Sequence, residues 1–140
     1  MKYGSLVLEK KEYVNLKRIL NISGYAVDFE IQKSLIKLSD ELKTAHILEE
    51  EEMPEDVVRL NSIVKVISGD LWEKTFQLVP PSKKDEKNNK ISVFTPMGAA
   101  LIGYSVNDIL LWDFPMGLKE LKIIEVTQEE THDKNFNVLI

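Results

Sequence analysis

The pattern of apolar positions changes its period near Pro54, and this change divides the chain into two predicted halves. Before Pro54, apolar residues recur with steps of four and three, at Ile31, Leu35, Leu38, Leu42 and Ala45. Such spacing places side chains on one face of a helix. An earlier segment, from about residue 8 to residue 20, places Tyr13, Leu16 and Leu20 on one face. Two helices are therefore predicted before Pro54.

The short segment NISGYAVD connects these two predicted helices. Gly24 can end the first helix, and Asp28 can cap the second. Because helices joined by a short connection pack antiparallel, residues 7–50 are predicted to form a short helical hairpin, or coiled-coil arm. Pro54 cannot continue a helix. The predicted domains are an arm of residues 1–53 and a β domain of residues 54–140.

Strands are predicted throughout the second half, because its segments are short and rich in β-branched and aromatic residues. The five segments are NSIVKVIS, WEKTFQLV, KISVFT, DILLWDF and LKELKIIEVTQ. A turn at positions 69–70 joins the first two, and the polar loop PPSKKDEKNNK follows the second. In the last strand, strict alternation assigns Leu121, Ile123 and Glu125 to one face, and Ile124 and Val126 to the other.

The stretch TPMGAALIGYS offers two interpretations. Gly98 and Gly103 have the spacing of a phosphate-binding loop, but such a loop needs a lysine where this chain has Tyr104. The four residues between the glycines are also apolar. The phosphate-binding interpretation is therefore rejected.

Helix capping explains the same stretch better. Thr95 suits the position before a helix, Pro96 suits the first helical position, and Gly103 suits the left-handed position after the last turn. A short helix crossing the sheet is predicted, with Met97, Ala100 and Leu101 facing the sheet.

Composition narrows the candidate chemistry. The chain has 140 residues and no cysteine, which excludes disulfides and thiolate catalysis. His46 and His132 are far apart in sequence and suggest no metal site. A net charge of −5 argues against a free-standing nucleic-acid-binding protein. With no long apolar run, a cytoplasmic protein that has no membrane segment is expected.

The second half resembles a known family. ISVFTPMGAALIGYSVNDILLWDFPMGLKELKIIEV is similar to the C-terminal domain of the Gre transcript-cleavage factors of bacterial RNA polymerase. The matching positions are Thr95, Pro96, Gly98, Ala100, Leu101, Gly103, Asn107, Asp108, Ile123 and Val126. The segment MPEDVVRLNSIVKV resembles the Rnk group, the regulators of nucleoside diphosphate kinase. Its matching positions are Pro54, Asp56, Val57, Val58, Asn61, Ser62 and Val64.

This resemblance implies an α+β fold, with a β domain like that of the FKBP prolyl isomerases crossed by one short helix. It also implies a partner, bacterial RNA polymerase, with nucleic acid contacted only through the polymerase complex. The polymerase-contact candidates are Asp108, Leu101 and Trp112. No cofactor and no metal are expected, and the protein is not expected to be an enzyme.

In the Gre family, acidic residues at the tip of a long arm help to hold a magnesium ion that activates RNA cleavage. Here the first predicted helix spans only ~20 Å and the second only ~30 Å, at 1.5 Å per residue. The acids near the tip are Asp28 and Glu30, and Asp28 is better explained as a helix cap. The prediction is a polymerase-binding regulator that competes with Gre factors near the secondary channel without stimulating RNA cleavage.

Three alternatives remain open at this point. The chain could be a true Gre-like cleavage factor. It could be a peptidyl-prolyl isomerase, whose aromatic pocket would use Phe76, Phe94, Tyr104, Trp112 and Phe114. It could also influence nucleoside diphosphate kinase indirectly, through transcription, as the name of the Rnk group suggests.

Overall fold

The computed structural model describes residues 2–22, 29–69, 72–114 and 117–128. They form a mixed α+β fold. The elements are β1 (Val7–Glu9), α1 (Lys10–Ile22), α2 (Phe29–Leu42), β2 (His46–Leu48), β3 (Ile63–Ser68), β4 (Trp72–Val79), β5 (Lys90–Ser92), α3 (Pro96–Leu101), β6 (Ile109–Phe114) and β7 (Gly117–Thr127).

The main sheet has five strands in the order β5-β4-β3-β7-β6. β3 pairs antiparallel with β4 and β7, β6 pairs antiparallel with β7, and β5 pairs parallel with β4. Each of the five predicted strand segments contains one of these strands. The third strand is shorter than predicted. The chain turns after Ser92, where the backbone N–H of Thr95 donates a hydrogen bond to the Ser92 carbonyl.

The ends of the predicted hairpin differ from the expectation. Residues 7–9 and 46–48, which the prediction included in the helical hairpin of residues 7–50, instead form a parallel two-stranded sheet, β1–β2. The physical reason at β1 is burial, since Val7 and its neighbours Leu6 and Leu8 are all at most 3% exposed. A helix cannot bury three consecutive side chains on one face, whereas a strand between two packed layers can.

Helix α1 begins after β1 because Glu9 caps it. The Glu9 carboxylate accepts hydrogen bonds from the backbone N–H groups of Lys11 and Glu12, at 2.9 and 3.1 Å. A carboxylate at this position satisfies N–H groups that have no partner within the helix. The predicted helix end at Gly24 and the cap at Asp28 lie outside the described residues.

Helix α2 ends earlier than its apolar repeat suggested. Leu35, Leu38 and Leu42 are buried as predicted, but the helix stops at Leu42. Ala45 lies beyond it, where its backbone N–H donates to the Leu42 carbonyl in a turn. Pro54 therefore does not end this helix, since β2 and a short 3₁₀ helix at Glu50–Glu52 come first.

A β-bulge in β7 changes which residues face the core. Lys65 pairs with Glu125, but the next residue of β3, Val66, pairs with Ile123, so Ile124 is the extra residue. An extra residue shifts the alternation by one position. Val126 consequently packs against the core on the same side as Leu121 and Ile123, which corrects the prediction that Val126 lies on the opposite face.

Buried residues from both sides of Pro54 form one hydrophobic cluster. Leu8, Leu16 and Leu38 from the first half belong to the same cluster as Val64 and Leu121 from the sheet. The root of the arm and the β domain therefore share apolar contacts. The division into residues 1–53 and 54–140 stays a prediction.

Candidate functional site

The short helix α3 has the predicted capping. The Thr95 hydroxyl accepts a hydrogen bond from the backbone N–H of Gly98 at 3.1 Å, and Pro96 is the first helical residue. Gly103 follows the helix with a φ of +82°, the left-handed conformation that glycine adopts without strain. The capping interpretation of this stretch is confirmed.

Gly98 lets this helix lie directly on the sheet. A Cβ at this position would lie 2.3 Å from the carbonyl oxygen of Ser92 and 2.9 Å from Cδ1 of Leu78. The glycine thus permits close packing of backbone against backbone, and its surroundings are protein atoms. A phosphate cradle instead needs open backbone N–H groups around a ligand.

The helix face that meets the sheet is partly different from the prediction. Gly98, Ala99 and Leu101 are buried, whereas Ala100 and Met97 are half-buried. The close approach at Gly98 sets the rotation of the helix. Positions three and four residues after Gly98 then point inward with it, because they share one helical face.

The N-terminal segment is tied to the β domain by two aspartates. Lys2 forms an ion pair with Asp56, and Tyr3 donates a hydrogen bond to the same carboxylate at 2.9 Å. The backbone N–H of Lys2 donates to Asp108. Asp108 also accepts from the backbone N–H of Ser105 at 2.8 Å. Two acidic positions of the family motif therefore hold residues 2 and 3 in place.

The pKa of the Asp56 carboxyl group is consistent with these contacts. Burial acts to raise the pKa of the Asp56 carboxyl group, but the hydrogen bonds from Lys2 and Tyr3 outweigh it and hold that pKa below its ordinary value. The ionised carboxylate is the form that accepts both bonds. Asp56 thus stays charged at neutral pH.

A second polar cluster lies where α1 meets the β domain. The Arg59 Nε atom donates to both oxygens of Glu12, at 3.1 and 3.2 Å. Its two terminal nitrogens donate to the two oxygens of Glu50, at 2.7 and 2.8 Å. The side chains of Arg59 and Glu12 are only 16% and 14% exposed. One guanidinium group therefore links the first turn of α1 to the 3₁₀ helix and to the segment before β3.

The protonation equilibria of this cluster follow from its burial. Burial raises the pKa of Glu12 to about 7, with Arg59 opposing the shift and Glu9 and Glu50 adding to it. Although burial acts against the guanidinium charge, the hydrogen bonds to Glu50 and Glu12 raise the pKa of Arg59. The hydrogen bond from Arg59 lowers the pKa of Glu50.

Helix α2 has its own polar contact with the β domain. The hydroxyl of Tyr104 donates to a carboxylate oxygen of Glu41 at 3.1 Å, near the end of α2. Burial is the main cause that raises the pKa of Tyr104, and the neighbouring Glu41 adds to it. Tyr104 therefore remains a neutral hydrogen-bond donor over the physiological pH range.

The Asn-Ser pair of the motif has a structural role. Asn61 adopts a left-handed φ of +73°, which asparagine tolerates better than most residues. The Ser62 hydroxyl accepts from the backbone N–H of Arg59 at 2.8 Å and donates to Gln128 at 2.7 Å. Gln128 in turn donates to the Val57 carbonyl at 2.7 Å. These contacts join the segment before β3 to the residue that follows β7.

The predicted polymerase-contact candidates differ in exposure. Leu101 is 0% exposed and Asp108 only 6%, whereas Trp112 is half-buried in β6. Beside Trp112, the side chains of Ile109 and Leu111 are exposed. Trp112 and its strand are therefore more accessible than the other two candidates, and the contact itself stays a prediction.

The exposed apolar face was not predicted in this detail. We define it as Ile109 and Leu111 of β6 together with Leu118 of β7, which are 54%, 63% and 67% exposed. β6 is the last strand of the sheet order. The alternation in DILLWDF could have indicated one exposed face, but its two faces are equally apolar, so the sequence alone does not say which one is outside.

The predicted tip acids cannot be compared with the structure. Asp28 lies outside the described residues, and Glu30 falls in α2 with a side chain that is also outside them. Among residues 2–22, 29–69, 72–114 and 117–128, no group of three acidic or histidine side chains is arranged to hold a metal ion. In the same ranges, no helix is long and apolar enough to cross a membrane.

The aromatic residues considered for an isomerase pocket are mostly part of the core or packed on it. Phe76 is buried in the core, and Phe94, Tyr104 and Trp112 pack against it. The side chain of Phe114 lies outside the described residues. Isomerase activity stays an untested prediction.

Sequence reasoning missed the residues that join the arm to the β domain. Arg59 stands inside the motif segment PEDVVRLNS, and Glu12 and Glu41 are ordinary helix-surface acids by pattern. Tyr104 was noted as the residue that stands where a phosphate-binding loop needs a lysine and as an aromatic residue of a possible isomerase pocket, but not as a partner of α2. Partners separated by 47 and 63 residues leave no local spacing signal.

The described residues form a five-stranded sheet with a short capped helix packed against it, beside two further helices. The family model for the C-terminal domain of the transcription elongation factors GreA and GreB matches residues 53–128. The chain therefore belongs to the GreA/GreB family of transcription elongation factors. The resemblance predicted from the two motif segments is confirmed.

Individual relatives point the same way. "Transcription elongation factor GreA" of Clostridium botulinum, strain Langeland, is 37% identical over 99 residues, which are 70% of this chain and 62% of that protein. "Regulator of nucleoside diphosphate kinase" of Escherichia coli K12 is 40% identical over 93 residues, or 64% of this chain and 67% of that protein. The match thus spans less than two thirds of the GreA relative.

The fold also matches a solved structure. "Prokaryotic transcription elongation factor GreA/GreB from Nitrosomonas europaea" aligns with a TM-score of 0.72 and 28% sequence identity. The alignment covers 89% of this chain and 98% of that one. The mixed α+β architecture therefore holds over most of the chain, including residues before the matched domain.

Proposed function

We propose that this chain is a transcription regulator that binds bacterial RNA polymerase near the secondary channel, competes there with Gre factors and does not stimulate RNA cleavage. The observation that carries the proposal is the length of the arm beside a family-matched β domain. α1 has 13 residues and α2 has 14. At 1.5 Å per residue they reach only about 20 Å.

Several finer features belong to the same proposal. The two helices form an antiparallel hairpin in an arm of residues 1–53, and residues 54–140 form an FKBP-like β domain. The arm enters the channel mouth while the β domain docks outside it, around Trp112. Nucleic acid is contacted only within the polymerase complex, in keeping with the net charge of −5.

The lack of cleavage activity follows from reach and chemistry together. A magnesium-dependent cleavage site needs convergent carboxylates placed within about 2 Å of the ion. A hairpin of about 20 Å holds its tip near the channel entrance. Asp28 and Glu30 would then lie too far from the polymerase active site to share its metal.

The contact can be tested by co-purification with core RNA polymerase. We expect the wild-type chain to be retained, and a Leu111→Ser variant to be retained less, because it removes apolar area from the exposed face of β6, the strand that carries Trp112. Ile63→Ser is the matched control, since Ile63 is 40% exposed on β3 and belongs neither to β6 nor to the arm. Absence of retention at low salt, or equal loss in both variants, would contradict docking through β6.

The mechanism can be tested with backtracked elongation complexes. We expect the chain to slow the RNA cleavage stimulated by an added Gre factor, and to give no cleavage by itself. The alternative function, a true cleavage factor, is favoured by the 37% identity with a GreA protein. Cleavage that the chain accelerates without any Gre factor would establish that alternative.

A further inference from the structure

We propose that Arg59 and Tyr104 are positioning residues that fix the direction in which the helical arm leaves the β domain. Arg59 holds the first turn of α1 through Glu12, and Tyr104 holds the last turn of α2 through Glu41. Both contacts therefore lie at the root of the arm, one on each helix. The inference gains its functional meaning from the proposed entry of the arm into a channel.

Two contacts, one on each helix, restrict the rotation of the arm more than a single contact would. The β1–β2 sheet connects the arm to the β domain through the backbone, where Val7 donates to the Gly103 carbonyl at 3.1 Å. β1 and β2 have three residues each. A sheet of this size is only marginally stable by itself and can twist. Side-chain contacts on both helices oppose rotation about it.

The Arg59 contact has directional geometry. Glu50 receives two nearly parallel hydrogen bonds from the guanidinium edge, while Glu12 is bound through Nε. A planar guanidinium group with fixed donors fixes the orientation as well as the distance of its partners. Burial strengthens the effect, because Arg59 and Glu12 are largely shielded from water.

A small rotation at the root of the arm produces a large displacement of its tip. For an arm of about 20 Å, a rotation of about 10° at the root moves the tip by about 3 Å. A narrow channel would not accept that displacement. The two contacts therefore determine whether the docked β domain aims its arm into the opening.

Distances between spin labels on the free protein test this directly. The chain has no cysteine, so Lys37→Cys on α2 and Thr75→Cys on β4 introduce a unique pair of exposed labelling sites. We expect one narrow distance distribution in the otherwise unchanged chain. Arg59→Gln and Tyr104→Phe should each broaden it, and the combined variant should roughly double its width, as expected for loss of local order.

The matched control is Asp40→Asn, which removes an exposed ion pair between α2 and Lys43, the residue just after it. It should leave the distribution unchanged. Circular dichroism at the labelling temperature must show folded protein in every variant. If Arg59→Gln does not fold, Glu12→Gln and Tyr104→Phe carry the test, because each weakens or removes the contact on one helix while Arg59 keeps Glu50 as its partner.

The outcomes are distinct. A combined variant that is less stable to heat but keeps the narrow distribution would overturn the proposal, because these residues would then only add stability. A broadened distribution supports it whether or not the wild-type chain binds polymerase. Failure of polymerase co-purification would instead overturn the proposed function alone.

Discussion

The contact of α3 with the sheet and the root of the arm are held together by different physics. At α3, backbone packs on backbone, and Gly98 leaves no room for even a methyl group beside Ser92. At the arm root, Arg59 joins Glu12 and Glu50 through charged hydrogen bonds. The first contact is set by volume, whereas the second adds charged hydrogen bonds to the apolar contacts that Leu16 and Leu38 make in the shared core. The two should therefore respond differently to mutation and to pH.

This difference parallels the family match. The matched region, residues 53–128, contains α3 and all five strands of the main sheet, whereas α1 and α2 lie before it. Arg59 is inside the matched region, but Glu12 is outside it. The α3 contact thus lies wholly within the matched region, whereas the arm is attached to that region by polar and apolar side chains that reach across the boundary.

The largest expected effect is at the close contact of α3. Gly98→Ala should lower the free energy of unfolding by about 4 kcal/mol, because the new methyl group would overlap the Ser92 carbonyl and Leu78. Urea unfolding measures this change. Gly69→Ala is the control, since Gly69 has a φ of +61° with no atom within 4 Å of the new carbon. Its cost should be only the backbone strain of about 1 kcal/mol.

The arm root should be nearly as sensitive, for an electrostatic reason. Arg59→Gln leaves Glu12 buried without its cation and should cost about 3 kcal/mol. The matched control is Lys65→Gln, which removes a more exposed ion pair with Glu73 at 3.7 Å and should cost less than about 1 kcal/mol. Equal losses of unfolding free energy in the two variants would show that burial of the Arg59 pair adds nothing to its contribution to stability.

The stability contributed by the arm root should depend on pH, whereas the stability contributed by the α3 contact should not. The pKa of Glu12 is raised from 4.5 to about 7, so its contribution is fully present below pH 4.5 and is lost as the pH rises through about 7. A shift of this size corresponds to about 3 kcal/mol at most. Arg59, Glu9 and Glu50 are the charged groups that act on Glu12.

Unfolding by urea at pH values between 4 and 9 measures how the free energy of unfolding changes with pH. In a Glu12→Gln variant the part due to Glu12 should disappear, so the difference in unfolding free energy between wild type and variant should itself vary across this range. Gly98→Ala should change stability by the same amount at each pH, because no titrating group is involved. A wild-type slope retained in Glu12→Gln would assign the pH dependence to another group.

The smallest expected effect is at the cap of α3. Thr95→Ala removes the oxygen that accepts from the Gly98 N–H and should cost about 1 kcal/mol. Thr95→Ser keeps that oxygen and should cost much less. A loss as large as that of Gly98→Ala would mean that capping, and not close packing, decides the stability of this contact.

Much of the β domain could be predicted because its signals are local. The cap at Thr95, the helix start at Pro96 and the left-handed Gly103 are neighbours in sequence, and each has a backbone requirement that few residues meet. The strand segments were found for a similar reason. Alternation over a few residues is visible without knowledge of partners.

The parts that were predicted wrongly depend on distant partners. The bulge at Ile124 lies in the pairing of β7 with β3, far earlier in the chain, and a strict period of two along β7 cannot show it. Leu8 was included in the predicted helical hairpin, yet it lies in a strand and is buried in the core cluster with residues of the sheet. Local propensity yields to tertiary packing at such positions.

The sequence by itself determined the family, the strand-rich second half and the capped helix, since these depend on residue types at short spacing. The tertiary structure alone decided how the arm is attached. Glu12 and Arg59 are 47 residues apart, and Glu41 and Tyr104 are 63 apart. A charge at such separation has no preferred partner until the chain has folded, because only folding brings the two groups together and removes the water between them.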